Sequence, residues 1–153
     1  MNYLELKKTN WVSISGLWLG RVVMVFMIFI FIMIGIRNLF TPVQANAIYK
    51  VTLGSPEAIT NTRVGTGAFP LSLAIILVIC VVSARRQLYG LIMVAIVDGL
   101  LTMARVYGAV VDGPATRTLQ VMKPEIVVLV LSLVAITLEV RRRNQSQATN
   151  TIA

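Results

Sequence analysis

Four long apolar runs, separated by short polar or basic segments, dominate the chain. The first, 22–36, carries no charge and extends back through Gly16, Leu17, Trp18 and Leu19 past Arg21. Crossing the hydrocarbon takes about 20 helical residues, so the span is read as 16–36. Arg21 then lies about one turn inside the interface, with its guanidinium snorkelling out. Trp11 and Trp18 suit an interfacial belt. The second span, 65–84, ends in Arg85-Arg86 and has Pro70 near its start, where a missing amide costs least. So few residues precede the third span, 88–107, that the two helices are expected to form an antiparallel hairpin. The fourth, 122–140, runs into Arg141-Arg142-Arg143. The pattern predicts an all-α integral membrane protein, a four-helix bundle over 16–140. An N-terminal tail (1–15) precedes it, and a polar tail (141–153), expected to be disordered, follows.

Between the first two spans, Thr41-Pro42 and Ser55-Pro56-Glu57 each place a capping hydroxyl before a first-turn proline. Two short helices at the membrane surface, or an irregular loop, fit this stretch. In the third span Ala95 with Gly99, and Ala104 with Gly108, are small-residue pairs four apart that permit close helix approach. Asp112-Gly113-Pro114 marks the loop to the fourth span. Lys7 and Lys8 before the first run, and Ala45-Asn46-Ala47 after it, suggest a cleaved signal peptide. Arg37 and Asn38 intervene and set the small-residue site too far from the run.

Composition narrows the chemistry. The 153 residues are 57% hydrophobic and 13% charged, with a mean hydropathy of +0.82, against about 25% charged in a soluble domain. At this length a single compact unit is expected. The net charge of +8 would suggest nucleic acid in a soluble protein, but here the cations flank apolar runs and anchor helix ends. Nucleic acid is therefore not an expected partner. Without histidine, and with Cys80 alone in an apolar run, there is no basis for an intramolecular disulfide, a zinc site or a histidine-based catalytic set. No cofactor or metal is expected. Cys80 and the seven methionines are read as packing residues. Basic density sets the orientation: Lys7, Lys8, Arg85, Arg86 and Arg141 to Arg143 sit in short segments on one side. That side is expected to be cytoplasmic, with both termini there and the protein in a cell's inner membrane.

Charges within spans are expensive, about 2.5–3.5 kcal/mol each on insertion scales. Asp98 lies near the middle of the third span, and Arg105 follows seven residues later on nearly the same face. Glu125 opens the fourth span at a matching depth, which predicts an Arg105–Glu125 pair with Asp112 and Arg63 close by. Asp98 has no cation at its own level. It could reach toward Arg105, accept a bond from Thr102, or be neutral.

Gly35, Pro42, Arg63 with Gly65 and Gly67, Arg105, Asp112-Gly113 and Glu125 together resemble an uncharacterised family of small four-span bacterial membrane proteins, a domain of unknown function. The resemblance covers about 16–140. It departs where Val64 separates Arg63 from Gly65, and Asp98 is not part of the pattern. In outline the family is similar to the DoxX-like four-helix membrane proteins. This implies the architecture and the charged cluster, and no activity.

Three functions remain open. One is a membrane protein binding a small molecule or lipid in an outer-leaflet pocket formed by Arg63, Arg105, Asp112 and Glu125. Another is an accessory or scaffolding subunit of a membrane complex, or a homo-oligomer, in which the buried charges only fix register. The third is a membrane-embedded enzyme with Asp98 or Glu125 as acid or base; the thin chemistry, with no nucleophile or metal set, argues against it.

Overall fold

The computed structural model describes residues 3–113 and 116–152, with side chains at 16–113, 118–145 and 147. Lys7, Lys8, Trp11, Pro114 and Arg117 therefore fall outside the described side chains. The chain is all-α, with no strand among the described residues. Helix α1 runs Tyr3–Phe40, α2 Pro42–Ala47 and α3 Pro56–Thr62; a π-helical turn, Arg63–Ala68, leads from α3 into α4, Phe69–Val82. Helices α5, Gln87–Val111, and α6, Thr116–Ile152, complete the chain. Four stretches are long and apolar enough to cross a membrane: Gly16–Phe40, Pro56–Val82, Gln87–Val111 and Thr118–Gln145. These are the elements of a membrane helical bundle, and the protein is a multi-pass membrane protein.

Both helix-start signals open helices, with different chemistry. Ser55 Oγ accepts from the Ala58 amide at 3.1 Å and caps α3. Thr41 does not cap α2; its hydroxyl turns back and donates to Arg37 O at 2.9 Å, tying α2 to the last turn of α1. The second short helix is not a separate surface element. It continues through the π turn into α4, because nothing between Thr62 and Phe69 breaks the helical path. The polar tail also differs from expectation: α6 continues as helix through Ile152. Glu139 bonds Arg142 and Arg143, one turn on, across the point where the tail was expected to begin, and the Gln- and Ala-containing sequence beyond can propagate the helix.

In place of one compact unit there are two, Met1–Met24 with Ser83–Ala153 and Val25–Val82, dividing within α1. Without water to drive helices together, cohesion comes from local close packing, and each unit has its own contacts. In the 25–82 unit, Gly35 lies against Gly67 O and Leu71, and Gly67 against the Leu39 backbone. Asn46 Nδ2 donates to Asn38 Oδ1 at 3.3 Å and so joins α2 to α1. Ala74, Leu77 and Cys80 form the buried line of α4.

In the other unit α5 packs on α6. Gly16 and Gly20, four apart on α1, bring it against Leu138 and against Gln87 and Leu91. These glycines make the close approaches. Gly99 and Gly108 do not: a Cβ at Gly99 would only touch a Leu129 methyl at 3.8 Å, and one at Gly108 would meet Asp112 of its own helix. The turn between α4 and α5 is closed by Arg86 N and Gln87 N, both donating to Ser83 O, at 2.9 and 3.1 Å. Gly113, at φ +92°, supplies the left-handed residue after α5.

Gly67 and Gly65 give opposite expectations. A Cβ at Gly67 would lie 3.0 Å from Leu39 N, so Gly67→Ala should destabilise the protein by about 1–3 kcal/mol, as overpacking does. A Cβ at Gly65 meets nothing within 4 Å, so Gly65→Ala should be neutral or stabilising by about 0.5–1 kcal/mol. Unfolding of the two variants in detergent checks both signs.

Candidate functional site

Buried residues on α5 recur at Gln87, Leu91, Val94 and Asp98, and on α6 at Val128, Ser132, Ala135 and Glu139. Each series steps by four, three and four, the spacing of one helical stripe. The faces away from these stripes are apolar and exposed, as at Ile96, Leu100, Met103, Val127 and Val130, the arrangement a lipid solvent demands. The charged groups Asp98, Arg105, Glu125 and Glu139 lie on the stripes and their extensions.

Arg105 and Glu125 are brought together. Arg105 Nε donates to both carboxylate oxygens of Glu125, at 2.9 and 2.7 Å, with the side chains 32% and 14% exposed. Only Nε serves the pair, and the Nη groups of Arg105 make no hydrogen bond among the described residues. This contact and the approach of Gly99 to Leu129 define an antiparallel register that sets Asp98 level with about residues 130–132, at a rise of ~1.5 Å per residue.

Asp98 is 3% exposed, and its Oδ2 has no hydrogen-bond partner. Thr102 Oγ1, one turn along, is also buried without a partner, so the bond from Thr102 does not form. Nor does Asp98 pair with Arg105, whose Nε is committed to Glu125. Glu125 lies within electrostatic reach of Asp98. Opposite, Ser132 is fully buried but donates its hydroxyl to Leu129 O at 2.8 Å. The cluster thus holds two carboxylates, one guanidinium with spare donors and one unsatisfied hydroxyl.

Of the other two expected members, Asp112 lies at the end of α5 and Arg63 in the 25–82 unit. Asp112 caps the end of α5, is exposed, and makes no side-chain hydrogen bond or ion pair among the described residues. Seven residues beyond Arg105 along one helix, it stands ~10 Å farther out, too far to close on the pair. Arg63 belongs to the 25–82 unit, at the start of the π turn.

A second buried cluster escaped the sequence reading. Glu139, fully buried, takes bonds from Arg142 Nε and Nη2 at 2.8 and 2.7 Å and from Arg143 Nε at 2.9 Å. Arg143 also donates to Arg85 O at 2.8 Å and so clasps the end of α6 to the turn before α5. Nearby in sequence, Gln87 is fully buried and donates to Leu17 O at 2.8 Å, with Oε1 left unpartnered. The spacing of Glu139 to Arg142 and Arg143, three and four residues, was the available signal; Gln87, uncharged and alone, offered none. Arg21 places its guanidinium 5.8 Å from the Trp18 ring centre, a cation–π contact, with Nε buried and unpartnered.

A family described as a domain of unknown function, DUF4345, matches residues 19–136. The chain belongs to this family. The DUF4345 match includes Arg63, Asp98, Arg105, Asp112 and Glu125 and stops short of Glu139, so the α6 clasp lies outside it. No curated protein and no solved structure matches the chain. Membership in DUF4345 names no reaction.

Glu139→Ala removes the acceptor of three hydrogen bonds, whereas removing either arginine leaves the carboxylate one partner. Glu139→Ala should therefore cost about 1–3 kcal/mol, and Arg142→Ala or Arg143→Ala clearly less. Thermal unfolding of the three variants in detergent tests the ranking. A double-mutant cycle on Arg105 and Glu125 should give a coupling of about 1–3 kcal/mol, since Nε meets both carboxylate oxygens away from bulk water; a coupling near zero contradicts the pairing.

Proposed function

We propose that this DUF4345 protein binds a small molecule or lipid through the Asp98–Thr102–Arg105–Glu125 cluster of α5 and α6. The observation that carries the reading is the buried Asp98 carboxylate, whose Oδ2 has no partner, beside the equally unpartnered Thr102 hydroxyl. A buried polar atom left unpaired costs about 1–3 kcal/mol, more when charged, so a donor from outside the chain has a defined place. The free Nη groups of Arg105 add donors for an acceptor on the same ligand. A ligand that offers a donor to Asp98 and an acceptor to Arg105 fits the cluster. Asp112 and Arg63, expected in the same pocket, are not needed for it.

A bacterial inner membrane with both termini cytoplasmic is part of this reading. It rests on the density of Arg85, Arg86 and Arg141 to Arg143, and it places Arg105 and Glu125 toward the outer leaflet. The likeness in outline to DoxX-like proteins belongs here too and brings no activity with it. A scaffolding role is the second reading, favoured by one feature: Arg105 and Glu125 already satisfy each other. Native mass spectrometry of protein extracted gently with its lipid separates the two. Wild type should carry a stoichiometric small molecule or lipid that Asp98→Leu, still folded, loses. Retention of the same ligand by Asp98→Leu, or a co-extracted protein subunit with no ligand, contradicts the binding proposal.

A further inference from the structure

The 25–82 unit has a cleft of its own. An open cleft of about 210 Å³ lies where the end of α1 meets α2 and α3, several times the ~30 Å³ that one water occupies in the liquid. Phe40, Val43 and Ile59 give it an apolar wall, and Gln44 and Arg63 supply hydrogen-bond donors. Phe40 is 71% exposed and Val43 50%. Arg63 is exposed and makes no hydrogen bond or ion pair among the described residues. The unit's one acidic residue, Glu57, makes no ion pair with it.

Arg63 is held here by an unusual piece of backbone. It opens the π-helical turn Arg63–Ala68, a form that is rare and often found at functional sites. That turn is pressed against the last residues of α1: a Cβ on Gly67 would sit 3.0 Å from Leu39 N, next to Phe40 of the cleft wall. This contact joins the turn that carries Arg63 to the helix that ends in Phe40. The cleft also lies at the end of the candidate span Gly16–Phe40 and in the first turns of the candidate span Pro56–Val82; the ends of spanning helices lie near the lipid headgroups.

We infer that this cleft is a second, separate site that takes the phosphate headgroup of an anionic phospholipid from the surrounding bilayer. The phosphate accepts from the Arg63 guanidinium, whose planar fork matches its oxygens, and the acyl chains lie along Phe40 and Val43. The site shares no residue with the α5–α6 cluster and does not depend on it.

The test uses the full chain in neutral detergent, with phosphatidylglycerol as probe and retained lipid read by native mass spectrometry. Arg63→Gln should lower retention about tenfold, the loss of one charge-assisted contact. Arg63→Lys should recover part of it. Lys123→Gln, which removes an exposed cation of α6, should leave retention unchanged, as should Asp98→Leu, which separates this site from the one proposed above. Phe40→Ser should weaken retention by removing apolar wall, and it carries the test if Arg63→Gln melts below wild type by circular dichroism. The inference is overturned if Arg63→Gln, folded, retains as much lipid as wild type. Equal retention of diacylglycerol, which lacks the phosphate, also overturns it. So does an equal loss in Lys123→Gln, which would mean general charge attraction, or displacement by equimolar glycerol phosphate, which would mean a soluble ligand.

Discussion

The contact between Arg105 and Glu125 fixes the register in which α5 faces α6, and the other polar positions of that pair follow from it. With Nε 2.7 Å from the carboxylate, a shift of either helix by one turn would move the charges ~5 Å apart in a medium that offers no water in exchange. In this register the clasp of Glu139, Arg142 and Arg143 reaches the Arg85 carbonyl at the far end of the same helices. Two ionic fastenings therefore bracket a stripe in which Leu91, Val94, Val128 and Ala135 alternate with buried polar residues. Asp98 stands between them, at a level where α6 offers only Ser132, a hydroxyl already bonded to its own helix.

This arrangement departs from a soluble protein chiefly on its exterior. Large apolar residues cover the outside of α1, α4, α5 and α6, while polar residues are among the most buried: Gln87, Ser132 and Glu139 are fully enclosed and Asp98 nearly so. Apolar burial cannot hold helices together in a solvent of acyl chains. Small residues and satisfied polar contacts take its place, through Gly16 and Gly20 in one unit and Gly35 and Gly67 in the other. A polar atom left out of such contacts is conspicuous, and for that reason Asp98 Oδ2 and Thr102 Oγ1 mark a site more sharply than a charged patch on a water-exposed surface would.

Much of the fold was legible because the bilayer imposes run length and excludes charge. The four spans could be counted from hydropathy, and the depth matching that paired Arg105 with Glu125 needed only the helical rise. The small-residue rule went astray because composition does not reveal which face packs: Ala95-xxx-Gly99 and Gly16-xxx-Gly20 read alike, and only the second meets a neighbour closely. The joining of α3 to α4 was hidden because the second span was counted from Gly65, where the apolar run starts, while the helix begins at Pro56 and runs on through the π-helical turn Arg63–Ala68. The polar tail misled for the opposite reason, since its composition suits disorder while its backbone continues a helix already begun. At the candidate site, charge located Asp98, Arg105 and Glu125.

The central claim is that Asp98 is a buried carboxyl without a partner among the described residues, whereas Glu125 and Glu139 are each held by arginine. An apolar carbodiimide, which couples to carboxyl groups not held as ion pairs, tests it directly on detergent-washed full-length protein, with sites assigned by peptide mass mapping. The account predicts modification at Asp98, with Glu125 and Glu139 spared until Arg105, or Arg142 and Arg143, are replaced. Modification of Glu125 in the intact protein to the same extent as Asp98, or an Asp98 that does not react, would contradict it.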